Sequence, residues 1–165
     1  MFSIDAVDLH WLEGAKEEED LCLHGKAIAQ IGDEHFEYDA AVSSTALYLL
    51  KSLTEDHVMG KSNQLLPCCG FSMFPNGDLT EVEICGCQNG IDWSVLHEDG
   101  YVVLITESGN KTEISIEEYK QTVFAFADKI ENFYKESKEK DLPNDELDRN
   151  GYIAFLNEWK ARRYK

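Results

Sequence analysis

Residues 79–106, LTEVEICGCQNGIDWSVLHEDGYVVLIT, hold three alternating apolar runs broken by two sharp turns, Gln88-Asn89-Gly90 and Glu98-Asp99-Gly100. Alternation is the period of a strand with one buried face, and Asn-Gly and Asp-Gly are the dipeptides that tight hairpins use. The stretch therefore reads as an antiparallel meander, which continues to a last strand near residues 112–114 and so covers 79–114. Val82 and Ile84 face one way in the first run, with Glu81, Glu83, Cys85 and Cys87 opposite. In the second run Trp93 joins Ile91 and Val95 as core. The third, YVVLI, is apolar on both faces, which predicts a central, doubly covered strand. Asn89-Gly90 reads as a turn with positive φ.

The flanking segments change period in ways that bound the fold. Residues 2–13 alternate with a slip of phase, which a bulge near Asp5-Ala6 would explain. GAKEEED, residues 14–20, reads as a solvated acidic loop, and residues 21–39 as a hairpin. In 42–57 the apolar residues fall at helical spacing, with Ser43 or Ser44 as cap. Ser115 and Glu118 form a capping box before a helix over 116–137. A final helix is predicted over 150–162, after a charged loop broken by Pro143. The expectation is one α+β domain over 1–165. It has an antiparallel sheet of about six to eight strands, one helix at 42–57 and two C-terminal helices. At 165 residues such a domain buries roughly 70% of the surface of its unfolded chain and folds without a metal or disulfide.

Charge narrows the partners. The formal net charge is −17, which repels nucleic-acid phosphate and anionic lipid and attracts a basic protein. Residues 1–40 carry 11 acids and 2 bases, whereas residues 116–165 carry 11 and 10, so the field is one-sided. No apolar run reaches the length of a membrane span, and the N-terminus lacks the pattern of a secretory signal. Five cysteines, an odd number, fit a reducing compartment, and the cytoplasm is the expected location.

No motif fixes a chemistry. Cys68-Cys69 and Cys85-x-Cys87 lack the C-x₂-C spacing of zinc knuckles, and the thiols read as small buried hydrophobes, so no metal is assigned. His10, His24, His35, His57 and His97 form no ligand or catalytic pattern. Catalytic residues and cofactors are therefore assigned to none. The outward strand acids Glu81, Glu83, Glu37 and Asp39 are the candidate partner contacts, with an exposed aromatic as anchor.

Three segments carry a resemblance: CGCQNGIDWSVLH, FADKIENFY and the closing GYIAFLNEWKARR. They resemble parts of an uncharacterised bacterial protein family, over about residues 20–165. In size, acidity and lack of a catalytic motif the chain is similar to immunity proteins of bacterial toxin systems, small cytoplasmic proteins that bind and block a cognate toxin. The resemblance implies a non-catalytic inhibitor of a basic toxin, and it transfers no binding residue. The alternatives are a small enzyme or metal protein built on the Cys85, Cys87 and His97 region, or a general protein-interaction module.

Overall fold

A computed structural model describes residues 1–165 and places eight strands and three helices. In chain order they are β1 Phe2–His10, β2 His24–Ile31, β3 Glu34–Ala41, α1 Val42–Lys51, β4 Ser72–Pro75 and β5 Val82–Cys85. Then come β6 Ser94–Glu98, β7 Tyr101–Ile105, β8 Lys111–Ser115, α2 Ile116–Glu136 and α3 Glu146–Tyr164. The class is α+β, as expected. The strands divide among three open antiparallel sheets, β1-β2-β3, β4-β5 and β6-β7-β8, rather than running through one.

The division runs through the stretch that looked like one meander. β6, β7 and β8 form it, and β7 is central, with Val102, Val103 and Leu104 all buried. β5 instead pairs with the preceding β4, Val82 with Pro75 and Cys85 with Ser72. The physical reason is that the free edge of β6 is already taken. His57 bridges Val95 and Leu66 bridges Ile91, each through a reciprocal pair of backbone hydrogen bonds. Gly90 is not a hairpin residue, for its φ is not positive. Its missing side chain is needed because a Cβ there would run into the carbonyl of Leu66, with Gln64 Oε1 2.8 Å away.

Other boundaries shift for local reasons. Asp5 and Ala6 pair in register with Ile28 and Ala27, so the bulge is not there. It falls between Val7 and His10, where Asp8 takes φ 52° and Leu9 swings over Gly25. Aspartate tolerates that left-handed geometry better than most residues. α1 starts directly from β3 with Ala41 as N-cap, so neither Ser43 nor Ser44 caps it. Ser43 Oγ accepts the Leu23 N–H at 3.1 Å instead. α1 ends at Lys51, and its first nine residues are buried because α2, α3 and β2 all pack around it. Ser115 caps α2 as expected, accepting the Glu118 N–H at 3.2 Å. α3 begins earlier than its apolar pattern, because Asp145 accepts the Asp148 N–H and opens it at Glu146. Gly151 lies inside α3. A Cβ there would come within 2.9 Å of Met73 Cβ, so glycine lets α3 lie directly on β4.

The core is one continuous cluster of 33 buried residues. Trp93 is fully buried at its centre and touches Phe2 and Phe36, each with ring centroids 6.3 Å apart. It thereby ties the meander to the N-terminal sheet. A polar link does the same at the far end. Glu34 Oε1, at the β2–β3 turn, accepts from Thr106 Oγ1 at 2.7 Å, Asn110 Nδ2 at 2.7 Å and Ser108 Oγ at 2.8 Å. These donors, Thr106 foremost, hold the Glu34 carboxyl below its ordinary range. A depressed pKa stabilises the fold above the unfolded value, ~4.3 for glutamate, and that contribution is lost as pH falls through the folded value. Thermal melts of Glu34→Gln and the parent are therefore expected to differ most near pH 7 and to converge in acid. A gap that persists at low pH would assign the effect to packing instead.

Candidate functional site

The four strand acids do not form one site. Glu37 and Asp39 stand exposed on the outward face of β3, where Asp39 is in register with Lys26. His35 Nε2 lies 3.1 Å from Glu37 and is the main reason its pKa is lowered. Glu81 and Glu83 are exposed at and before β5, in a different sheet. Glu83 sits directly across from Phe74, and residues opposite one another in an antiparallel pair share a face.

That pairing leads to a feature the sequence reading missed. Phe74 belongs to the wall of the largest cleft, about 1010 Å³, between the 12–22 loop, β4 and the start of α3. Leu12, Phe71, Phe74, Leu142 and Leu147 all line it, and each is 39–51% exposed. Five of the nine large apolar side chains that face water thus converge on one concavity. Four acids, Glu19, Asp20, Asp141 and Asp148, also line it, and no lysine or arginine does.

The walls are held by specific contacts. Asp141 N–H donates to Glu18 O at 2.8 Å, and Trp11 Nε1 donates to Ser137 Oγ at 3.1 Å. Lys140 Nζ stands 3.2 Å over the Trp11 ring and also donates to the Glu17 carbonyl. Asp20, expected in a solvated loop, is 5% exposed. It accepts the Leu12 N–H at 2.8 Å and the Cys22 N–H at 3.2 Å, which closes the acidic loop into a fixed turn. The available sequence signal was faint: isolated leucines, Leu142 and Leu147, inside a charged segment, and two phenylalanines three residues apart, Phe71 just before β4 and Phe74 on it.

The cysteines are arranged differently from the expectation. Cys68 and Cys87 form a disulfide, which corrects the reading of all five as free thiols. Cys69 Sγ lies 3.7 Å from both of their sulfurs. Cys87 lies beyond the end of β5, in a turn that folds back onto the 68–69 pair, so it does not share a strand face with Cys85. Cys85 is exposed and free, and Cys22 is buried, with its thiol pushed up to about 12 by desolvation. His97 joins none of them. Its Nδ1 and backbone N–H both meet Asp56 Oδ1 at 2.8 Å, so no Cys85, Cys87 and His97 centre is assembled.

The remaining histidine chemistry is at His57. Its Nε2 lies 2.7 Å from Asp92 Oδ1, which also accepts the Leu65 N–H at 3.1 Å, and Ser62 Oγ lies 3.1 Å from its Nδ1. His57 and Ser62 border a second cleft of about 530 Å³ with Glu83 and Lys61. The order is hydroxyl, imidazole, carboxylate. Asp92 also does structural work, since it pins the 57–66 segment along β6. No helix is long and apolar enough to cross a membrane. No protein-family model matches the chain, and neither a curated protein nor a solved structure does.

Proposed function

We propose that the protein is a non-catalytic binding protein of the immunity type, which neutralises a basic toxin domain in the cytoplasm by docking it on an acidic face. The observation that supports this reading is the convergence of exposed apolar side chains on an acid-lined cleft free of lysine and arginine. Interfaces draw most of their binding energy from a few apolar anchors, and surrounding charges select the partner and speed its arrival. Phe71 and Phe74 are the anchors in this reading. Glu19, Asp141, Asp148 and the neighbouring Glu83 select lysine- and arginine-bearing surfaces, and Glu81, Glu37 and Asp39 extend the attractive field.

A toxic domain encoded beside this gene is the partner to test. Cells producing it are expected to survive when they also make this protein. With purified components, Phe71→Ala combined with Phe74→Ala should weaken binding by about 2 kcal/mol or more, roughly 30-fold. Association should slow as salt rises. The pairs E81K/E83K and E37K/D39K, measured separately, show which acidic surface borders the partner. Absence of protection, or binding indifferent to both phenylalanines, overturns the reading.

A second reading rests on one observation, the chain Ser62–His57–Asp92 at the smaller cleft. In a serine hydrolase Ser62 Oγ would attack an ester carbonyl carbon while its proton passes to His57 Nδ1. Asp92 would hold the imidazolium, the proton would leave with the alcohol, and water would then release the acyl group. A fluorophosphonate should in that case add once, and only when Ser62 is present. An unmodified intact mass removes the reading.

A further inference from the structure

We propose that Cys68, Cys69 and Cys87 form a three-sulfur site that, once reduced, binds one thiophilic metal ion of the zinc class. Three independent features of the cluster point there. The first is its shape. The three sulfurs lie within 4.8 Å of one another, and Cys69 Sγ is equidistant, at 3.7 Å, from the other two. With a Zn–S bond of about 2.3 Å, sulfurs around a tetrahedral ion are separated by about 3.8 Å. Both non-bonded edges of the triangle thus already have the length of a metal–thiolate edge.

Equal distances also place Cys69 broadside to the Cys68–Cys87 bond. Thiol attack on a disulfide needs the incoming sulfur in line with the bond, so the cluster is poorly set for internal exchange and well set for convergence on a common centre. The second feature is the backbone. Cys87 N–H donates to Cys69 Sγ at 3.3 Å, which ties the backbone at 87 to the third sulfur. A Cβ on Gly86 would lie 2.8 Å from the Cys69 carbonyl, so glycine there is what lets residue 87 approach. The third is access. Cys87 is exposed while Cys68 and Cys69 are half-buried, which leaves the fourth coordination position open to water or to an incoming ligand.

The disulfide and the metal are alternative occupants of the same sulfurs. A dithiol reductant of the kind the cytoplasm maintains delivers two electrons and two protons to the Cys68–Cys87 bond and itself becomes a disulfide. The ion then displaces the thiol protons, so binding releases protons and weakens as pH falls. Cys22 is too deeply buried and too weakly acidic to compete, and Cys85 stands outside the triangle.

The test uses the full chain, reduced with a phosphine and held without oxygen. Zinc is titrated against a chromophoric chelator, and cadmium is followed by its thiolate charge-transfer absorption. One ion per chain is expected for the reduced protein and none after reoxidation, a comparison that requires no substitution. Cys69→Ser and Cys87→Ser should each weaken binding by more than the ~10–100-fold that loss of an outer-shell partner costs, while Cys85→Ser and Cys22→Ser leave it unchanged. Equal zinc binding by the reduced and reoxidised forms, no binding by the reduced form, or loss of binding in Cys85→Ser, would each overturn the proposal.

Discussion

Replacing Glu158 with alanine is expected to lower the stability of the fold by about 3 kcal/mol, at the modest end of the range for breaking a buried ion pair. The side chain is 2% exposed and sits at the junction of α1, β5 and α3. Its Oε2 accepts the Val82 N–H at 2.8 Å, while its Oε1 meets Arg162 Nε at 2.8 Å and Lys51 Nζ at 3.3 Å. Alanine would orphan a buried backbone donor and take a shared carboxylate from two cations, leaving Lys51 on the Val82 carbonyl and Arg162 on Glu55. Lys51 and Arg162 keep 25% and 15% of their side-chain surface, so water recovers part of the loss. For a domain of this length, ~3 kcal/mol corresponds to roughly 10 °C in melting temperature. Glu158→Gln separates the components. It keeps an acceptor for Val82 but not the charge, so it should fall between parent and alanine. If the glutamine variant melts with the parent, the cations contribute nothing and only the Val82 bond matters.

Glu158 also shows where the sequence stops being informative. In the linear chain it is one acid among 11 in a nearly neutral segment, four residues before an arginine. That is the signature of a wet i,i+4 pair. Its burial depends on Gly151 bringing α3 against β4, a long-range contact that no local pattern encodes. The same holds for the site. Strand and helix periods were legible because each is written in adjacent residues: the capping box at Ser115, the doubly apolar β7 and the hairpin of β2 and β3. Partition of strands among sheets was not, because it depends on the 57–66 segment occupying the edge of β6, and those residues carry no strand pattern. The Cys68, Cys69 and Cys87 cluster and the His57–Asp92 pair join positions 18 to 35 residues apart. The apolar cleft gathers residues from 12 to 148. Exposed strand acids were easy to find in the sequence for the opposite reason: alternation alone predicts which side chains face water, and says nothing of which faces adjoin.

Trp93 was legible as core, and its replacement carries an expected effect as large as that at Glu158. Trp93→Ala removes the side chain through which the meander touches Phe2 of β1 and Phe36 of β3. Phe2 in turn packs on Tyr119 of α2 at 5.4 Å, so the cavity would open where two sheets and a helix meet. Large-to-small changes at such sites cost about 3–5 kcal/mol, the upper part applying where backbone on several sides prevents collapse. Urea unfolding should show the midpoint falling with the slope unchanged, since the denatured chain is hardly altered. Trp93→Phe is the more discriminating variant. The indole Nε1 has no hydrogen-bond partner among the protein atoms, so replacing it with carbon strands nothing. Only volume and ring contacts are lost, and the cost should stay below about 2 kcal/mol. A phenylalanine variant as unstable as the alanine one would mean that Nε1 is satisfied after all, by a buried water. Trp93 would then anchor the two sheets by a polar contact as well as by packing.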